Sequence, residues 1–141
     1  MAVNNPKTVY LFLIAVLCTT LAVAHAQERE TRLATSQGKG TLKVGGETFK
    51  ITSVVVKLLG DNRAEITLVS DITVFLSGTW TDGHDAKQGI DLQITRGESA
   101  GGLEATGKVF LSADGKSVSS LSIKGSSRMS KRHVDAQFQG S

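Results

Sequence analysis

Two histidines, one glycine-flanked serine and a basic run are the residues of this chain best suited to chemistry. His84 stands between Asp82 and Asp85, a spacing at which two carboxylates and an imidazole can meet a divalent cation. Ser99 lies within Gly97, Glu98, Ser99, Ala100, Gly101 and Gly102, with His133 and Asp135 downstream as a base and its orienting acid. Lys124, Arg128, Lys131, Arg132 and His133 precede the last apolar run, and Lys131 and Arg132 are placed to meet an anionic surface. Each group also has a plainer reading. Gly83 and Lys87 make the acidic stretch a solvated turn with no second histidine near it in sequence, and the basic run has no interleaved aromatic to stack bases. The expectation is therefore a protein that is not an enzyme, with no catalytic residue, no metal, no cofactor and no nucleic-acid partner.

The serine stretch resembles the nucleophile elbow of the carboxylesterases. That family holds its serine between a strand and a helix of a larger α/β fold beside a glycine-rich oxyanion loop. Here Leu103, Glu104, Ala105, Thr106 and Gly107 alternate as a strand does, so the resemblance stops after six residues. Gly78, Thr79 and Trp80 resemble the Gly-x-Trp signature of the lipocalins, whose barrel binds small apolar molecules. That signature belongs on the first barrel strand, whereas this one lies near the middle of the chain.

What positions these residues begins with a leader. Lys7 precedes an apolar run over 9–24, and Ala24, His25, Ala26 puts small residues at the two positions a signal peptidase reads, so 1–26 is expected to be a secretory signal peptide cut before Gln27. The run is short for a membrane span and is interrupted by Thr19 and Thr20, so no transmembrane segment is expected after cleavage. Cys18, the single cysteine, follows Leu17 where a lipoprotein site needs a small residue. The exported chain then has no thiol, and its stability rests on packing. With Lys7 removed it carries 15 basic against 13 acidic side chains, too even a balance to steer a polyanion.

Residues 27–38 are polar and lack an apolar period, which reads as a flexible lead-in to one domain over 39–141. From Gly40 the apolar period becomes two, the mark of strands with one buried face. Leu42 and Val44 lead into a Gly45, Gly46 turn, and Phe49 and Ile51 lead out of it. The three-residue step from Ile51 to Val54 breaks the alternation, placing a β-bulge at Thr52 and Ser53. The central strand, 72–80, turns Ile72, Val74, Leu76, Gly78 and Trp80 to one side, while Phe75, Phe110, Val55 and Val69 take the opposite face. Gly40, Leu42, Val44, Ile51, Val54, Val56 and Lys57 recur 67 residues later as Gly107, Val109, Leu111, Val118, Leu121, Ile123 and Lys124, with a second bulge at Ser119 and Ser120.

The fold expected is all-β, an antiparallel meander of about eight strands closed as an up-and-down barrel, with a two-sheet β-sandwich as the alternative. The function expected is an exported, periplasmic or extracellular binding module whose interior, lined by Phe49, Trp80 and Phe138, takes a small apolar molecule. The alternative is an envelope or extracellular interaction protein with a filled core.

Overall fold

The computed structural model describes residues 31–82, 89–98 and 101–141. Eight antiparallel strands, each paired with its sequence neighbour, close into a barrel: β1 (Arg32–Val44), β2 (Glu47–Leu58), β3 (Arg63–Val69), β4 (Thr73–Asp82), β5 (Ile90–Gly97), β6 (Gly101–Leu111), β7 (Val118–Ser127) and β8 (His133–Gly140). β1 closes the ring by pairing with both β2 and β8. The register is strongly staggered. Arg32 faces Leu58, and following partners through Ala64, Gly78, Ile94, Ala105, Gly125 and Val134 returns to β1 at Val44, twelve residues beyond the start. Such a stagger tilts the strands and widens the barrel, leaving the interior to be filled by side chains or by a ligand.

The interior follows from the two-residue period. Leu42, Ile51, Val54, Val56, Ile66, Leu68, Ile94, Leu121 and Ile123 are among the residues it buries almost completely. Burying each such side chain stabilises the fold by about 1.5–3 kcal/mol. Curvature falls where the chain is thinnest. A Cβ on Gly78 would lie 1.8 Å from the Gln93 carbonyl oxygen, so β4 and β5 approach there as only glycine permits. Gly38 is as tight, since its Cβ would lie 2.1 Å from the Gln139 carbonyl oxygen and 2.9 Å from the ring of Phe138, which is buried at 4 % exposure.

Two expectations are corrected. Residues 32–38, read as a flexible lead-in, belong to β1, where Arg32 to Gln37 pair with Leu58 to Ser53 and Ala34 is buried. The ladder with β2 holds this polar segment in place, and its own pattern does not announce it. The first bulge also lies on the other strand of its pair. Gln37 faces Ser53 and Gly40 faces Ile51, so Gly38 and Lys39 of β1 stand opposite Thr52. The second is as expected, with Phe110 facing Ser120 and Leu111 facing Val118, which leaves Ser119 unpaired in β7. A further break, not foreseen, runs from Ile94 to Gly97 in β5, both buried with exposed Thr95 and Arg96 between them. β5 shifts register with β4 and β6 at that point.

Candidate functional site

The up-and-down order sends the β1–β2, β3–β4, β5–β6 and β7–β8 connections to one end of the barrel and Arg32, the β2–β3 and β6–β7 turns and the C-terminus to the other. The two ends differ in construction. At the Arg32 end, Trp80 points inward from the last residues of β4 and is tied down twice. Its indole Nε1–H donates to the Leu59 carbonyl at 3.0 Å, and its backbone N–H donates to the Asn62 carbonyl at 2.9 Å. The turn that receives it is braced in turn: Asn62 takes φ 66°, and the Asp61 carboxylate accepts from both the Arg63 N–H and the Arg63 guanidinium. Arg32 lies over the Trp80 ring at 5.5 Å and reaches Asp82 at 3.6 Å. Trp80 therefore closes this end and is anchored as an amphipathic aromatic usually is, apolar body inward and N–H on a carbonyl.

The opposite end is open. A cavity of about 530 Å³ enters between the connections there and is walled by Leu42, Phe49, Leu76, Leu103 and Val134, with Val44 and Val74 higher up. Its rim carries Ile72, Thr73, Met129 and Ser130, together with one acid, Glu47, and one base, Arg132. Ile72 is 46 % and Met129 89 % exposed, so apolar side chains flank the mouth from two different connections. The β7–β8 connection is held by Ser127, buried beneath it. The Ser127 N–H donates to the Arg132 carbonyl, its own carbonyl accepts the Lys131 N–H, and its Oγ accepts the Ser130 N–H. Lys131 takes φ 57°, which turns the chain so that Arg132 re-enters the barrel side. The Gly45 N–H donates to the His133 carbonyl at 2.9 Å and joins this connection to the β1–β2 turn.

A second depression, of about 470 Å³, lies on the outer wall over β1, β8, β7 and β6. Part of its polar lining is already engaged. Lys108 pairs with Asp91 at 3.5 Å, and the Gln137 amide donates to Ser122 and Asp135.

The three residues expected to share a ligand site are separated by the fold. Phe49 lines the open cavity, Phe138 fills the interior, and Trp80 closes the far end. His84, Asp85 and Ser99 lie outside the described residues, and among the described residues no cluster of histidine, cysteine, aspartate or glutamate is arranged to hold a metal. His133 and Asp135 alternate at the start of β8, His133 facing Ser126 and Asp135 facing Lys124 across the pair with β7. Lys131 and Arg132 are both exposed, and Arg132 belongs to the cavity rim. Glu47 and Arg132 were not foreseen as neighbours of one site. Each stands two residues before an inward residue, Phe49 or Val134, and that parity is the signal that points to them. Comparison of the chain with models of known families, with curated proteins and with solved structures finds no match.

Proposed function

We propose that this protein is an exported, non-catalytic binding module that holds a small apolar molecule in the open end of its barrel. One observation carries the reading: a cavity of about 530 Å³, walled mainly by apolar side chains and with its charged groups at the rim, opens at one end of a barrel whose other end is closed by Trp80. Small-molecule sites have this construction, a concave apolar chamber of roughly 300–1,000 Å³ with few polar groups to orient the ligand. The chamber exceeds by more than threefold the volume of about 150 Å³ that suffices for benzene in an engineered protein cavity. The ionisable groups among the described lining residues are Glu47 and Arg132, one acid and one base, and both are at the rim. Such a pair suits the holding of a head group better than proton transfer. Export rests on the leader over 1–26.

The test is native mass spectrometry of residues 27–141 purified from the exported fraction without detergent. Extra mass that disappears on denaturation is the expected result and gives the chemical class of the ligand. A bare chain mass, together with no uptake of ten-carbon amphiphiles, would refute the reading. A second reading, an interaction protein, draws on the outer face of β2 to β4, where Phe75 is 49 % exposed beside Thr67, which in turn faces Val55. A clean dimer that Phe75→Ser dissolves would favour that reading instead.

A further inference from the structure

The geometry points to a single-chain zwitterionic amphiphile as the ligand class, with its anionic group on Arg132, its cationic group on Glu47 and its chain in the apolar cavity; this inference rests on the binding reading above. Glu47 and Arg132 both line the cavity, and among the described residues neither forms an ion pair with the other or with any third residue. Their neighbour Arg128 differs, being held by Glu104 at 3.4 Å. The two free charges flank β1. Val44, the last residue of β1, faces Glu47 on one side and Val134, two residues after Arg132, on the other. Two strand spacings put the backbones of β2 and β8 about 10 Å apart. The Arg132 stem lies along the β1–β2 turn, its Cδ and Cγ 3.6 and 3.8 Å from where a Gly45 Cβ would be, and Glu47 follows that same turn two residues later. A purely anionic head group would gain Arg132 and meet Glu47 as a like charge, and a purely cationic one would meet the reverse. A head carrying both signs satisfies both rim groups, and complementarity of this kind selects among ligands more than it adds affinity.

The experiment is isothermal titration of the mature protein, below the critical micelle concentration, with four probes sharing a ten-carbon chain: decylphosphocholine, decyl sulfate, decyltrimethylammonium and decyl maltoside. Decylphosphocholine is expected to bind about fivefold more tightly than either singly charged probe, as befits partly solvated ion pairs. Glu47→Gln should abolish its advantage over decyl sulfate, and Arg132→Gln its advantage over decyltrimethylammonium. Both positions are on the exposed rim, so both variants should fold with unchanged melting temperature. If all four probes bind within twofold of one another and neither variant changes the order, the head-group inference falls while the cavity reading stands. Tightest binding of decyl sulfate, unaffected by Glu47→Gln, would also overturn it. If no probe binds, the cavity reading itself fails.

Discussion

Replacing Trp80 by phenylalanine separates the closed end of the barrel from its open end. The substitution removes the Nε1–H donor to the Leu59 carbonyl, a 3.0 Å bond in a half-buried setting. The Leu59 carbonyl keeps the Asn62 N–H at 3.1 Å, so no oxygen is orphaned and the loss stays near the ordinary net value of about 1 kcal/mol. The smaller ring gives up part of a half-buried indole, worth roughly 0.5 kcal/mol at about 25 cal/mol per Å². Arg32, 5.5 Å above the ring and exposed, loses part of a cation–π contact worth about 0.5–1 kcal/mol on tryptophan. Together these amount to about 2 kcal/mol, which lowers the melting temperature of a domain this size by about 10 °C. The assay is thermal and urea unfolding followed by far-ultraviolet circular dichroism, since the variant has lost its only tryptophan. Binding of decylphosphocholine should be unchanged, because Trp80 is not part of the cavity wall. A destabilisation under about 0.5 kcal/mol would refute the reasoning about the closed end. Binding weakened more than about threefold would show that Trp80 belongs to the ligand site after all.

Other outcomes follow from the same structure. Gly78→Ala puts a Cβ 1.8 Å from the Gln93 carbonyl and should cost about 3 kcal/mol or more, whereas Gly46→Ala, with nothing within 4 Å of its Cβ, should stay within about 0.5 kcal/mol; urea titration of both checks this. Val74→Trp fills the upper wall of the cavity and should weaken ten-carbon probes at least about tenfold by calorimetry, with little change in melting temperature. The Ser112 hydroxyl and the Lys116 N–H hold the Asp114 carboxyl below its ordinary pKa, so the stability it contributes is present above about pH 4 and disappears as pH falls through the lowered value. The stability difference between the native protein and Asp114→Asn, followed by urea titration from pH 7 to pH 2, should therefore be largest above pH 4 and shrink below it.

The barrel was legible in the sequence wherever apolar alternation and turn chemistry acted together. The Gly45, Gly46 turn joins Val44 to Glu47, with Gly45 at φ 61°, and the Asp114, Gly115 turn joins β6 to β7, with Gly115 at φ 71°. Alternation failed where a strand is specified by its neighbours. Residues 32–38 bury only Ala34 well, so nothing local distinguishes them from a lead-in, yet pairing with β2 satisfies their backbone groups. Alternation also reports which face a strand presents and not where its partner carries the extra residue, which is why the first bulge moved to Gly38 and Lys39. The site was less legible for a related reason. Phe49 and Trp80 share the inward parity, but Phe49 lies near the start of β2 and Trp80 near the end of β4. Both strands begin at the open end, so the two aromatics fall at different depths. Glu47 and Arg132 are far apart in the chain and reach the same rim only because β1 pairs with β2 on one side and β8 on the other.

The measurement that tests the central claim most directly is a methyl chemical-shift map of residues 27–141 titrated with decylphosphocholine below its micelle concentration. Saturable shifts are predicted at the methyls of Leu42, Leu76, Leu103 and Val134, which wall the cavity, with Ile90 and Val109 deeper toward the closed end left in place. Shifts confined to the outer face around Val55 and Val69, or no saturable shift at the four wall residues, would contradict the claim that the open end of the barrel is the binding site.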